Sequence, residues 1–333
     1  MTAPLLEVQD LEVVYHRTDG PVKALHDITF SIRPGEIVGV VGESGCGKST
    51  LSSALMRLLP SNGEISGGRI LLKGRDITHV GAEEMRRLRG ADLAMVFQDP
   101  LTSLNPVFDI GTQMLDAQRA HRQRGERDEG AMRRRAIEAL EHVGIADAAT
   151  RLGHYPHQFS GGMRQRIMIA TALTLAPQLL IADEATSALD VTLEAQILEL
   201  LVRLRDDSGR AMLFVSHDLG VVSQVCDRVL VMYAGRVVED ADVVTLFERP
   251  LHPYTRALLA TVPSYKRRGE RLTTIPGRVP ALSAQPAGCK FANRCTLARE
   301  PCLRDEPRFV PAADGGVRCL IHDPSSDYES SAS

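Results

Sequence analysis

Two short stretches carry residue types whose spacing suits phosphate chemistry. Gly42-Glu43-Ser44-Gly45-Cys46-Gly47-Lys48-Ser49-Thr50 fits G-x-x-x-x-G-K-[ST]. Gly42, Gly45 and Gly47 let the backbone wrap closely with N–H groups turned inward. Lys48 supplies charge for a β- or γ-phosphate, and the Ser49 hydroxyl is a ligand suited to Mg²⁺. Cys46 fills a variable position of the loop, where a redox-sensing thiol is the alternative to a plain loop residue. The second stretch is Phe159-Ser160-Gly161-Gly162-Met163-Arg164-Gln165-Arg166, in which Ser160, Gly161 and Gly162 are placed to open a helix.

The elements around the loop have the form it requires. Ile37-Val38-Gly39-Val40-Val41 is a continuous apolar run, suited to a strand buried on both faces. After the loop, Leu51, Leu55 and Leu58 recur near helical spacing, and Pro60 marks the end. Leu179-Leu180-Ile181-Ala182 reads as a buried strand ending in two acids, Asp183 and Glu184. Met212-Leu213-Phe214-Val215 is another, followed by Ser216-His217-Asp218. Residues 11–15, 28–32, 69–72 and 93–97 read as further strands, and 229–233 with 235–238 as a hairpin. Residues 101–155 read as mostly helical, with the charged stretch 120–135 solvated. Helices between buried strands predict an α/β core.

Hydrophobic residues at 44% against 24% charged mark a globular chain. The 39 Lys plus Arg against 42 Asp plus Glu give a formal charge of −3, so no nucleic-acid footprint is expected. No run reaches the eighteen apolar residues of a membrane span, and the first residues lack a signal-peptide pattern. The expected location is cytoplasmic, where the six cysteines should not be structural disulfides. Composition shifts near Pro263, predicting a boundary at about 260–270.

The phosphate loop and the Ser160-Gly161-Gly162 stretch together resemble ATP-binding cassette (ABC) ATPases. Pro156-His157-Gln158-Phe159, His252-Pro253-Tyr254-Thr255-Arg256 and Gly288-Cys289-Lys290-Phe291-Ala292-Asn293-Arg294-Cys295 narrow the resemblance to ATPase subunits of dipeptide, oligopeptide and nickel importers. Met163-Arg164-Gln165-Arg166 is more similar to their D-type than their F-type subunit. Phe159 and Met163 depart from the commonest signature, which has Leu and Gln there.

This resemblance implies a phosphate-loop ATPase domain over residues 5–262, with a RecA-like core, an antiparallel β subdomain and a helical signature subdomain. It further implies a Cys-containing extension over 263–325 and a disordered tail over 326–333. Its implied site places Gly42, Ser44, Gly45, Cys46, Gly47, Lys48, Ser49 and Thr50 around the phosphates of ATP, with Tyr15 stacked on adenine. Ser49, Gln98 and Asp183 would serve Mg²⁺, Glu184 would polarise the attacking water, and His217 would hold it against the γ-phosphate. Ser187-Ala188-Leu189-Asp190 resembles the loop that couples two sites. Ser160, Gly161 and Gly162 would close on the ATP of a partner subunit. The implied partners are an F-type ATPase forming a heterodimer, two transmembrane permeases and an extracytoplasmic substrate-binding protein, with the chain on the cytoplasmic face of the membrane.

Cys289, Cys295, Cys302 and Cys319 have the spacing C-x5-C-x6-C-x16-C, which is not that of a zinc ribbon. Four thiolates suit an iron–sulfur cluster or zinc. The resemblance implies a [4Fe–4S] cluster, with zinc or unliganded structural thiols as alternatives. Two competing functions stay open at this stage. One is uptake of nickel or another small solute, and the other is a soluble ABC ATPase acting on nucleic acid or ribosomes.

Overall fold

The computed structural model describes residues 3–121, 128–187, 189–262, 274–312 and 315–328. Its strands, in chain order, are β1 (Leu6–Arg17), β2 (Gly20–Ile32), β3 (Ile37–Val41), β4 (Gly63–Leu72), β5 (Arg75–Asp76), β6 (Leu93–Val96), β7 (Leu179–Asp183), β8 (Ala211–Val215), β9 (Arg228–Tyr233), β10 (Arg236–Asp242), β11 (Val310–Ala312) and β12 (Gly315–Val317). The chain divides into two compact units. One comprises Leu6–Ile32, Ile37–Thr78 and the chain from Val215 onward, and the other is mainly His79–Phe214.

In the first unit, β2, β1, β4 and β5 form an antiparallel sheet. Along β1 the buried positions change phase, from Leu6 and Val8 to Leu11 and Val13. An irregularity between Val8 and Leu11 makes the change, with Asp10 in left-handed backbone at φ 50° and its N–H on the Thr29 hydroxyl at 2.9 Å. One extra residue thus keeps both halves of the strand facing the core. A second sheet layer begins at β3, whose five residues are all buried. It pairs parallel to β9, and β10, β12 and β11 follow in antiparallel order. Gly39 lets Val222 and Cys226 pack on β3: a Cβ there would lie 2.8 Å from Val222 Cγ1 and 3.0 Å from Cys226 Sγ. Burial pushes the Cys226 thiol well above its usual pKa, so it acts as a small apolar side chain.

In the second unit β6 runs parallel to β7, with β8 on the other side of β7. Beside them, helices Ile110–Arg119, Glu129–His142 and Gly161–Leu173 pack on one another. On these helices Met114, Met132, Ala136, Leu140, Ile167 and Ile169 are buried. Each helix has a side-chain cap: Asp109 accepts from Thr112 N, Asp128 from Ala131 N and Ser160 from Met163 N.

Three local expectations need correction. The helix after the phosphate loop ends at Leu55, not near Pro60, because Arg57 takes left-handed backbone at φ 52°. Leu58 is therefore outside it and 42% exposed. Met132, inside the stretch expected to be solvated, is buried; residues 122–127 of that stretch lie outside the described residues. Tyr328 falls in the expected tail yet is buried, its hydroxyl donating to Leu297 O at 2.7 Å and its ring under the Arg299 guanidinium at 4.3 Å. Residues 263–273, around the expected boundary, and 329–333, the rest of the tail, lie outside the described residues.

Candidate functional site

The phosphate loop leaves the C-terminal end of β3 and enters helix Lys48–Leu55. Its shape demands glycine at two points. Gly42 has φ 154°, and a Cβ there would lie 2.2 Å from Met232 O. Gly47, at φ 109°, caps the helix and sits against Leu25, whose Cδ2 would be 2.8 Å from an added Cβ. Lys48 is buried, and its ammonium donates to Gly42 O at 2.7 Å and Glu43 O at 3.3 Å. An ammonium held among loop carbonyls beside a helix N-terminus is arranged to exchange them for an anionic ligand. Ser44, Gly45 and Ser49 are exposed on the same loop. Cys46 is fully buried with its thiol pushed up by burial, which removes the thiolate character a redox sensor needs. Tyr15, on β1, is half-buried with its hydroxyl 3.3 Å from Thr50 Oγ1.

His217 is exposed in this unit, one residue beyond Ser216. The Ser216 N–H donates to Val40 O at 3.0 Å, which fastens the histidine segment beside β3. Asp218 then caps the next helix, accepting from Gly220 N and Val221 N.

The second unit carries the two acids and the Ser160 segment. Asp183 is the last residue of β7 and is buried. Glu184 follows in left-handed backbone at φ 49°, an unfavourable conformation for a residue other than glycine. Its carboxylate accepts from Gln98 Nε2 at 2.8 Å, and its carbonyl accepts from Ser187 Oγ at 3.0 Å and Ser187 N at 3.1 Å. Gln98, Glu184 and Ser187 are thus brought together from loops 86 residues apart. Asp190 caps helix Val191–Ser208, and Ala188, in the same loop, lies outside the described residues.

Ser160 caps helix Gly161–Leu173. Ser160 and Gly161 are exposed, and space around Gly161 is open. Gly162 is buried against Leu193. Phe159 is a core residue, buried between Arg151 and His154, which accounts for an aromatic ring in place of Leu. Arg166 ties the helix down through Val143 O at 2.7 Å and Gln196 Oε1 at 3.0 Å.

Cys289, Cys295, Cys302 and Cys319 line one small apolar cavity with Phe291, Leu320 and Ile321. Their convergence is present, but the expected [4Fe–4S] or zinc site is not supported. Among the described residues no group of three or more His, Cys, Asp or Glu is arranged to hold a metal ion. Burial pushes Cys289 up to about 11 and Cys319 up to about 12, and raises Cys295 as well.

Four residues at the phosphate loop went unassigned in the sequence: Glu43, Tyr233, Tyr254 and Arg294. Arg294 makes a two-pronged ion pair with Glu43 at 2.6 and 3.0 Å, and the Glu43 N–H donates to the Tyr254 hydroxyl at 2.9 Å. Tyr254 and Arg294 belong to the His252-Pro253-Tyr254 and Asn293-Arg294-Cys295 stretches already singled out, so the signal was present without its meaning.

Comparison with known proteins agrees with this geometry. A model of the ABC transporter family matches residues 25–187, and one of the oligopeptide/dipeptide transporter C-terminal region matches 238–302. A probable peptide ABC transporter ATP-binding protein of Sinorhizobium fredii is 49% identical over 305 residues, covering 91% of this chain and 90% of that protein. A putative peptide import ATP-binding protein of Brucella melitensis is 49% identical over 334 residues, covering 95% and 97%. Among solved structures, a dimeric ATP-binding cassette bound to ADP and Pi is similar with a TM-score of 0.63 at 26% identity, covering 72% of this chain and 98% of that one. The cbiO1 subunit of a Clostridium perfringens ABC transporter complex gives 0.63 at 30% identity, covering 74% and 92%. With a phosphate loop, a strand-end acid pair, a capped signature helix and relatives matched along nearly their whole length, the chain belongs to the ABC transporter ATPases, in the group that carries the oligopeptide/dipeptide transporter C-terminal region.

Proposed function

We propose that this ABC-type ATPase powers peptide import across the cytoplasmic membrane, working from its cytoplasmic face. The observation that carries the reading is the Lys48 ammonium held inside a loop that only glycine can form at Gly42. The relatives' names, peptide import and peptide ABC transporter ATP-binding proteins, support the cargo class.

In this reading Gly42, Ser44, Gly45, Cys46, Gly47 and Thr50 present backbone or hydroxyl groups to the phosphates of ATP, and Lys48 neutralises the β- and γ-phosphates. Tyr15, half-buried beside Thr50, takes adenine. The donors fit Mg²⁺, a hard cation that prefers oxygen: Ser49, Gln98 and Asp183 are its proposed ligands, and when bound it neutralises developing charge on the phosphates. Glu184 accepts a proton from the attacking water, held in place for it by Gln98. His217 positions that water. Ser160 and the N–H groups of Gly161 and Gly162 supply the anion clamp for ATP held by a second subunit, so each site is complete only in a pair.

The proposed pair is a heterodimer of this D-type chain with an F-type ATPase, below two permeases fed by a substrate-binding protein. The exposed apolar side chains of Phe97, next to Gln98 in sequence, and of Val107 and Phe108 further along the same segment support docking on a membrane partner. Among the described residues no helix is long and apolar enough to cross a membrane. The cysteine-lined region is proposed to be a packing element of the C-terminal extension. Glu184→Gln in the reconstituted transporter tests the whole reading. ATP binding should persist while ATP turnover and peptide uptake fall together by at least about 100-fold. Uptake that continues without ATP turnover would overturn it.

A further inference from the structure

The C-terminal extension reaches into the phosphate loop. Arg294 lies in the short turn between Cys289 and Cys295, 251 residues from Glu43, and its side chain is 4% exposed. All its N–H groups have acceptors. Two groups hold the Glu43 carboxylate, Nη1 also donates to the Tyr233 hydroxyl at 3.3 Å, Nε donates to Pro276 O at 2.8 Å and Nη2 to Ile275 O at 3.3 Å. Such a guanidinium is fixed in place and selects a planar carboxylate. The same region contributes Phe291, whose ring packs on Tyr233 at 5.2 Å and Tyr254 at 5.4 Å. Tyr254 in turn accepts from the Glu43 N–H.

Glu43 sits in the loop between Gly42 and Ser44, and its carbonyl accepts from Lys48 Nζ at 3.3 Å. A carboxylate on this loop is electrostatically adverse to a polyphosphate unless a cation cancels it. We propose that Arg294 is a positioning residue for ATP binding: it neutralises Glu43 and holds it away from the phosphates, making nucleotide affinity depend on the C-terminal extension. The proposal rests on the ATP-site assignment above.

The test is ATP affinity of the full-length chain, measured by titration with a fluorescent ATP analogue, alongside thermal unfolding without nucleotide. Arg294→Gln should weaken binding about tenfold at low salt, and the loss should shrink as ionic strength rises. Glu43→Gln/Arg294→Gln should recover to within about threefold of wild type, because the adverse charge leaves with its partner. A purely structural arginine would show neither the recovery nor the salt dependence. Should Arg294→Gln fail to fold, Glu43→Gln alone carries the test and should bind ATP at least as tightly as wild type; tenfold weaker binding overturns the proposal. Wild-type affinity in a folded Arg294→Gln, or a double variant no better than the single, also overturns it. Lys48→Ala separates the two levels. If it loses ATP while Arg294→Gln does not, only the arginine's role is wrong; if both bind normally, the phosphate-loop assignment falls and the proposal with it.

Discussion

The amide of Gln98 donates to the carboxylate of Glu184 at 2.8 Å, across 86 residues of sequence. An amide is neutral, so the contact orients the carboxylate without removing its charge. Gln98→Glu would set a second carboxylate against it and make proton release harder for the pair. In the assembled transporter the acid limb of the turnover profile should move to higher pH by about one unit. A pH–rate series on both proteins reads it, and an unmoved limb would count against the proposed catalytic role of Glu184 beside Gln98.

Gly42→Ala should be costly to the fold as well as to binding. The added Cβ would lie 2.2 Å from the backbone oxygen of Met232, which cannot rotate away. Left-handed strain and overpacking together suggest a loss of order 2–4 kcal/mol. Urea unfolding of the nucleotide-free chain gives the number. A cost below about 0.5 kcal/mol would mean the loop has room that its geometry denies.

The purified chain alone should turn over ATP slowly and accelerate when its partner ATPase and permeases are added. Ser160 and Gly161 are exposed at the start of a capped helix, where the proposed function has them meet the ATP of another subunit. Light scattering with a phosphate-release assay checks this. Full transporter-level turnover from a verified monomer would contradict it.

Much of this was legible in the sequence because it is local. The apolar runs of β3, β7 and β8 identify buried strands, and the loop motif follows from a five-residue strand and a glycine-rich turn. What stayed hidden depends on tertiary contacts. The left-handed Glu184 is imposed by its surroundings, since glutamate itself disfavours it. The stop at Arg57 has no glycine or proline to announce it. The Arg294–Glu43 pair joins two residues whose motifs read separately as unrelated marks. The cysteine spacing suggested a metal; the four thiols do line one small apolar cavity, yet among the described residues no group of three or more His, Cys, Asp or Glu is arranged to hold a metal ion.

Acid should weaken the fold through the buried His252 and the half-buried His26. His252 caps helix Pro253–Thr261, its Nδ1 accepting from Tyr254 N at 3.0 Å, while its backbone N–H donates to Glu239 Oε2 at 2.8 Å. Burial, then the nearby His322 and Arg256, lower its pKa from 6.5 to about 3. His26 is lowered to about 4, by burial first and then by Arg236 and Lys23. Both pKa values are depressed in the folded state. Between these values and 6.5 the unfolded chain takes up protons that the folded chain refuses, so stability falls as pH drops below about 6.5. The melting temperature should therefore be lower at pH 5 than at pH 7.5. His252→Asn keeps a cap acceptor and should remove about half of that difference. An identical drop in the variant would assign the acid sensitivity elsewhere.

Strand β10 lies between β9 and β12, and the residues of β12, Gly315–Val317, follow the end of β10 by more than seventy positions. During synthesis β9 and β10 leave the ribosome with one flank of β10 uncovered, and the covering strand arrives seconds later at about 5–20 residues per second. For that interval the nascent chain carries an unpaired edge able to recruit other strands. Expression yield should then respond to chaperone supply and to C-terminal truncation in a way that the ATP motifs, all translated earlier, would not suggest.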